Sequence, residues 1–596
     1  MVKDVQQIRE SQFVLMYGQG SLIESKLGSR LIPEVHHCVG KKYKEVLDNP
    51  DFDDDVRMSS VIKNMEEIDE NIHLYAMPST GQSYNSFGNN FRTYIFPTWK
   101  ICQNIGKHKG QGSILYNAMR PDNPSKLNKC PVCGDESLSN VRFLLACPDG
   151  HLDDIDWNYA VHNNNKCKPN YLLWKPRGSS LSEIEIECPD CSRRVTMSDI
   201  YKMKFECSGR FPEKQRPKNI TEDVTFPDYF DRYNYSDCSK DMKVVQKQST
   251  SLRVVNSLTL LKMPKFDIPI INILKKESYN AFQSKIIWGL FNDHTDFLKA
   301  IKDISINDYE EMKDYFDNHD FNKFKVLFFE SLEDSKYKEA LYEECETLSA
   351  EEIKSPNFEK DNFIEYQLNI LGKQFPIKVC AINKLKSVTA QISYQRKPII
   401  LYDEFGNLLN KRVSSGHRIG KEIWYPAYEG VGEGIFITSD SNPIEFFNLD
   451  KLYNIWLPII NNINVGFRDD INDPQFIWWH TLSHAVINSL SLYCGYNSSS
   501  LKERVYLHPN GGILIYNTSP GEDSGMGGLS EVANFFDDVL ENAIKSIISC
   551  SNDPLCIEES IEVGKVNGAA CHNCLLISET SCEHRNMLLD RHFFTE

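Results

Sequence analysis

The 596-residue sequence has no run of 18 uncharged apolar residues, so no segment is long enough to cross a bilayer as a helix. Met1 to Ser25 holds only the short apolar run Phe13 to Tyr17, too brief for a secretory signal core. The expectation is a cytoplasmic protein with no membrane partner. The phosphate-binding loop G-x-x-x-x-G-K-[ST] is also missing: the Gly-Lys pairs at 40, 106, 372, 420 and 564 lack both the preceding glycine and the following hydroxyl. An ordinary ATP-driven motor is thereby excluded. His480 and His484 have the i, i+4 spacing of a zinc protease, but Thr481 stands where that chemistry needs a glutamate to activate water. They are expected to be satisfied core or interface histidines. Positive charge is in short supply: 66 Lys+Arg face 83 Asp+Glu, a net charge of −17. A free-standing binder of nucleic acid driven by its own field is therefore not expected.

What the sequence does have is cysteine, 18 in all. In a reducing compartment these are expected to serve as metal thiolates rather than disulfides. Ten lie between Cys38 and Cys238, nine of them from Cys102 onward, among Gly, Pro, Asn and Asp. Composition divides the chain into an N-terminal α/β region (1–100), a zinc-ribbon-rich domain (101–270), a helical domain (271–375) and a C-terminal mixed domain (376–596). The fold class expected is mixed α/β (α+β), multi-domain, with a four-Cys zinc module at the C-terminus.

Asp51 to Asp55 reads as a solvated loop, and Phe321, Phe324, Phe328 and Leu332 mark one face of a helix within a helical stretch over 275–375. Pro398 to Tyr402, Gly434 to Thr438 and Gly511 to Tyr516 read as strands. Trp478 to Leu492 and Leu529 to Ile548 read as helices, the second preceded by the glycine-rich loop Gly521 to Gly528.

The C-terminal cluster is Cys550, Cys556, Cys571 and Cys574, spaced C-x5-C-x14-C-x2-C. Two short-spaced pairs joined by a turn supply the tetrahedral thiolate shell that zinc prefers, and four thiols leave no open position for a substrate. Cys582 is a fifth thiol nearby. Upstream, Cys130 and Cys133 form one knuckle and Cys188 and Cys191 another. Cys102 is the nearest partner for the first, completed by His108, by Cys147 and His151, or not at all. Cys207 and Cys238 are expected to complete the second, with Cys167 as competitor. Two to three zinc ions per chain are expected. The run Cys147-x3-His151 followed by Asp153, Asp154 and Asp156, or else the pair His480 and His484, also suggests a metal-dependent nuclease or hydrolase, although aspartates after a Gly-His turn more often cap helices or accept hydrogen bonds.

Asn567 to Cys574, Glu579 to Glu583 and Leu589-Asp590-Arg591 resemble the MrfA-like zinc-binding domain of helicase-associated proteins. Together with Ile8 to Gln12, Tyr17 to Gly20, Arg142-Phe143, Ala146 to Asp154, Trp157, His162, His480 to His484, Glu503-Arg504 and Gly527 to Leu529, they resemble the DrmB family of the DISARM anti-phage system. Gln19 stands where that family commonly has Pro, and Ile105 where its motif expects a second cysteine after Cys102. The resemblance implies a non-catalytic subunit that partners a superfamily 2 helicase, engages DNA with it and restricts phage. Eight basic residues between Arg193 and Lys218 against three acids form a local patch interleaved with Tyr201, Phe205 and Phe211. Arg193, Arg194, Lys214 and Arg216 are the candidates for phosphate contact, the aromatics for stacking on bases. A purely structural interaction protein is the remaining alternative.

Overall fold

The structure is a computed structural model. It describes residues 8–25, 28–35, 56–76, 92–119, 127–163, 167–216, 225–228, 236–264, 274, 291, 294–302, 304–316, 321, 324, 337–401, 409–462, 471, 473–508, 510–519, 528–562 and 565–595. Cys38, Asp51 to Asp55, Lys218, Phe328, Leu332, Tyr402 and Gly521 to Gly527 lie outside the described residues. The fold is mixed α/β (α+β) and multi-domain, with two compact units. One is formed by 1–51, 74–258 and 390–428, the other by 52–73, 259–389 and 429–596. The division at 100, 270 and 375 expected from composition is a different partition, into contiguous stretches, and fragment folding would test it.

The first unit is built from short antiparallel strands. Five of them run in the spatial order Arg194–Thr196, Ile184–Glu187, Leu172–Pro176, Ser113–Asn117, Trp99–Cys102. Four more run Phe205–Glu206, Asp241–Gln246, Phe143–Ala146, Leu152–Asp153. Side chains alternate across a strand, so Ile184 and Ile186 point into one core with Leu115, Phe143, Trp157, Trp174 and Met242. The cysteines cluster at strand ends: Cys102 closes one strand, while Cys147, Cys188 and Cys207 directly follow Phe143–Ala146, Ile184–Glu187 and Phe205–Glu206. Strands this short bury little apolar area each, and a ligand shell at their ends supplies the missing constraint.

The second unit is centred on the helix Gln475–Leu490, in which every residue except Asn488 is buried. A helix that is apolar all round must be enclosed, and this one packs in a core with Ile513, Ile515, Leu540, Ile544, Phe593 and Phe594. Strand Gly512–Ser519 pairs with Lys502–Tyr506 on one side and with Val431–Thr438 on the other. Gly511 enters that strand at φ +90°, and a Cβ there would lie 2.0 Å from Trp479 Nε1, so no other residue fits.

Three expectations need correction. Residues 275–375 are not helical throughout: His294–Lys302, Ile306–Phe316 and Tyr337–Ser349 are helices, but strands begin at Ile353. Ile364–Ile370 buries Tyr366, Leu368 and Ile370 at alternate positions and turns through Leu371-Gly372, at φ +51° and +76°, into Lys373–Gln395. Phe321 and Phe324 do lie in an aromatic cluster with Phe297 and Phe316. Pro398 to Ile400 is a bend after that long strand rather than a strand itself. The helix expected over Leu529 to Ile548 is interrupted: Leu529–Val532, a 3-10 turn Ala533–Phe535, then Asp537–Ile548. The Tyr366 hydroxyl donates to the Ala533 carbonyl at 2.7 Å and accepts the Phe536 N–H at 3.3 Å, so a side chain from a strand takes over part of the helix ladder.

Candidate metal centres

Four sites of zinc-ligand composition occur among the described residues of Cys and His outside the central helix, their donor atoms within 4.8 Å of one another in each. The first is Cys102, His108, Cys130 and Cys133. The 3-10 turn Ile105–Lys107 presents His108 in place of the absent second cysteine. Cys102 and Cys133 sulfurs are 3.7 Å apart, and Cys130 Sγ is 3.7 Å from His108 Nε2. The second is Cys147, His151, Cys207 and Cys238, with Cys147 Sγ 3.7 Å from Cys238 Sγ and Cys207 Sγ 3.3 Å from His151 Nδ1. The third is His162, Cys167, Cys188 and Cys191, with Cys167 and Cys188 sulfurs 3.8 Å apart. The fourth is the C-terminal Cys550, Cys556, Cys571 and Cys574, with sulfur separations of 3.5, 3.8 and 3.7 Å.

These separations fit zinc. A tetrahedron with Zn–S bonds of about 2.3 Å has S···S edges of about 3.75 Å, and S···N edges of about 3.6 Å. A disulfide would need about 2.05 Å. Backbone N–H groups point at the sulfurs in the manner of zinc knuckles: Asp149 to Cys147, Gly209 to Cys207, Asn552 to Cys550 and Asn573 to Cys571, each at 3.4 Å. The histidines are fixed by their second nitrogens. His108 Nδ1 donates to the Gly112 carbonyl at 2.7 Å and His162 Nδ1 to the Asn158 carbonyl at 2.9 Å, which leaves each Nε2 as a lone pair facing the sulfurs. His151 is reversed: its Nε2 meets the Ser236 hydroxyl at 2.5 Å and its Nδ1 faces Cys207.

Charge is compensated nearby. Arg591 hydrogen-bonds Cys556, and Arg193, Lys107 and Lys411 interact electrostatically with Cys191, with Cys102/Cys133 and with Cys147/Cys238. Burial pushes the Cys102 thiol up to about 12 and the Cys556 thiol up to about 11. A metal that bonds the thiolate directly offsets that penalty.

The expected partnership of Cys188 and Cys191 with Cys207 and Cys238 is not what the fold assembles. Cys207 and Cys238 join Cys147 and His151, because the pairing of Phe205–Glu206 with Asp241–Gln246, and of that strand with Phe143–Ala146, brings those strand ends together. Cys167, the competitor, belongs with Cys188 and Cys191. His162 joins them as a ligand that the cysteine pattern does not reveal; the signal for it in the sequence is the H-x4-C spacing to Cys167. Cys582 stays out of the C-terminal quartet, its sulfur 3.3 Å from His480 Nε2. Burial and then the Glu503 carboxylate push that thiol well above its ordinary range.

The three aspartates of the nuclease reading each have a partner other than Cys147 and His151. Asp153 pairs with Arg210 at 2.6 Å, Asp154 accepts the Thr98 N–H at 2.8 Å and its hydroxyl at 2.9 Å, and Asp156 caps the helix Trp157–His162 through the Tyr159 N–H. The basic patch is also partly committed. Arg210 is wholly buried, Arg194 pairs with Glu187 at 2.8 Å, Arg193 donates to the His162 carbonyl, and Lys214 sits 4.9 Å over the Phe211 ring. The aromatics expected to stack on bases pack inward instead: Phe205 is in the core edge-on to Tyr159, Tyr201 meets Phe143 and Phe211 meets His151. Arg193, Arg194 and Arg216 are exposed. No helix of the described residues is long and apolar enough to cross a membrane.

Comparison with known proteins agrees with this chemistry. Residues 482–575 match the MrfA Zn-binding domain, and residues 9–254 match a domain of unknown function, DUF8724. The chain is thus a protein with a zinc-binding domain of the MrfA type at its C-terminal end. It is similar to the DISARM protein DrmB of Bacillus paralicheniformis (strain ATCC 9945a / NCIMB 11709 / CD-2), 27% identical over 533 residues that cover 83% of this chain and 87% of that protein. A solved structure of the DUF1998 helicase MrfA bound to DNA matches 33% of this chain and 22% of that one at 12% identity, with a TM-score of 0.16, too slight a likeness to argue from.

Proposed function

We propose that this protein is a non-catalytic, zinc-stabilised accessory subunit of a DISARM-like anti-phage complex, in the cytoplasm, where it partners a superfamily 2 helicase and helps that helicase engage DNA. The observation that carries the reading is the likeness to the DISARM protein DrmB along most of both chains. The chemistry of the sites supports it: each Cys/His quartet already supplies the four ligands zinc takes in structural sites, so metal there holds shape rather than activating water. The four quartets raise the expected two to three ions to four. With a net charge of −17, the chain is suited to reach DNA beside a partner that supplies attraction.

The test mixes the purified helicase partner, DNA and ATP with and without this chain at fixed ionic strength. ATP turnover or DNA affinity is expected to change when the chain is added, and this chain alone is expected to hydrolyse no ATP. Identical values in both mixtures, with the complex formed, would reduce it to a passive scaffold. Phosphate contact is assigned to Arg193, Arg194, Lys214 and Arg216. Arg193 also fastens the third cluster through the His162 carbonyl, so the cleaner variant is Arg194→Ala/Lys214→Ala/Arg216→Ala. It is expected to lower the slope of log affinity against log salt by up to about 2–3.

A further inference from the structure

The central helix of the second unit carries a fifth cluster that the cysteine pattern does not announce. His480 and His484 share one face of Gln475–Leu490, Glu503 lies on strand Lys502–Tyr506, and Cys582 comes from the C-terminal segment. Their four donor atoms lie within 4.8 Å of one another, and all four residues are buried. Two of them, His480 and Cys582, fall outside the matched zinc-binding domain at 482–575.

The protonation of the two rings is set from behind. His480 Nδ1 lies 3.2 Å from the Leu588 carbonyl and His484 Nδ1 lies 2.8 Å from the Leu575 carbonyl. A carbonyl oxygen only accepts, so both Nδ1 atoms carry the hydrogen, and in the neutral rings both Nε2 atoms then turn lone pairs inward. What they face is also electron-rich. His480 Nε2 is 2.8 Å from Glu503 Oε1 and 3.3 Å from Cys582 Sγ, and His484 Nε2 is 3.5 Å from the same Oε1. The other carboxylate oxygen, Oε2, is taken by the Ser483 hydroxyl. The Cys582 sulfur accepts the backbone N–H of His584 at 3.3 Å and of Asn586 at 3.2 Å, as the knuckle sulfurs do.

A proton shared by His480 and Glu503 would relieve one of these contacts and leave His484 Nε2, which has no hydrogen-bond partner, facing other lone pairs in a dry interior. A single divalent cation at the centre relieves all of them. The separations of 3.3 and 3.5 Å are near the edge of about 3.4–3.6 Å that zinc bonds of 2.0–2.3 Å require; the 2.8 Å between His480 Nε2 and Glu503 Oε1 is shorter than that edge and has to open as the ion enters. Charge also balances: one carboxylate, one thiolate and a divalent ion sum to zero, which suits a site with no solvent to screen a remainder. The carbonyls behind the histidines are the second-shell acceptors that metal-bound imidazoles use.

We propose that His480 Nε2, His484 Nε2, Glu503 Oε1 and Cys582 Sγ form a closed, buried zinc site that fastens the central helix to strand Lys502–Tyr506 and to the C-terminal segment. Loading the site releases the Cys582 thiol proton to solvent as the S–Zn bond forms; nothing is oxidised or reduced. With four protein ligands and full burial, the ion is structural.

Two measurements test it. Crystals of the wild-type full chain, with data collected on either side of the zinc absorption edge, are expected to show an anomalous peak between the four atoms. Peaks at the cysteine quartets with none at this position would overturn the proposal, whatever any variant does. Independently, Glu503→Gln in the full chain is expected to lower the zinc content by one ion while the four quartets stay loaded. An unchanged count in the folded variant would overturn it too.

Discussion

Replacing Cys571 and Cys574 together with serine is expected to remove one zinc ion and, with it, the cooperative folding of the C-terminal part of the second unit. The sulfurs of Cys550, Cys556 and Cys574 lie within the same core as Leu575, Leu589, Phe593 and Phe594, so the site and the apolar packing form one structure. Structural zinc contributes an apparent ~10–16 kcal/mol in small zinc modules at neutral pH, which rivals the entire ~5–15 kcal/mol stability of a typical domain. Losing two ligands also leaves two unpaired thiols and the Arg591 guanidinium, which hydrogen-bonds Cys556 and pairs with Asp553 at 2.9 Å, without the charge they were arranged around. Zinc content and thermal unfolding of the variant measure the effect. Full zinc and an unchanged midpoint would show that the quartet is a cluster of reduced thiols. The dependence on pH has a definite sign: burial raises the Cys556 thiol to about 11, so binding displaces protons, and acidification must favour release of the metal.

Arg504→Ala is expected to destabilise the second unit by about 3–5 kcal/mol, because it strands the buried Glu344 carboxylate and takes the partner of the half-buried Glu583. The guanidinium is fully enclosed and spans three partners: Nη1 meets Glu344 Oε2 at 2.7 Å, Nη2 meets Glu583 Oε1 at 2.8 Å, and Nη2 also donates to the Thr259 carbonyl at 2.7 Å. Glu344 in turn accepts the Tyr506 hydroxyl at 2.9 Å and the Leu261 N–H at 2.8 Å. Lysine would not rescue the site, since one ammonium cannot reproduce the planar fork that reaches both carboxylates. Equilibrium denaturation of Arg504→Ala, Arg504→Lys and Glu344→Gln checks this. A loss under about 1 kcal/mol in the alanine variant would mean that the network is solvated rather than buried.

Motifs local in sequence were legible; assemblies made by the fold were not. Cys571-x2-Cys574 and Cys550-x5-Cys556 announce their site because a turn alone joins each pair, and Gly434 to Thr438 announces a strand because a buried strand is a short apolar run. Cys147 and Cys238 are 91 residues apart, and only the strand pairing of Phe143–Ala146 with Asp241–Gln246 brings them together. One thiol looks like another in sequence, so spacing alone assigns Cys207 and Cys238 to the knuckle of Cys188 and Cys191, whereas the fold places them with Cys147 and His151. His480 and His484 read as core histidines because their metal-site partners, Glu503 and Cys582, lie 19 to 102 residues away on other elements. Phe205 and Phe211 looked suited to nucleic acid by their basic neighbours, yet an aromatic next to Arg serves a core equally well. The interrupted helix after Leu529 depends on Tyr366, far upstream, whose hydroxyl competes for the backbone.

The central claim is that clustered thiols and imidazoles in this protein are zinc shells. Its most direct test is the metal content of the full chain, purified under reducing conditions without chelator, read by elemental analysis and by native mass spectrometry. Five tightly held zinc ions are expected, four in the cysteine quartets and one at His480, His484, Glu503 and Cys582. A folded chain with no more than one zinc ion, whose thiols all react freely with a thiol reagent, would contradict the account.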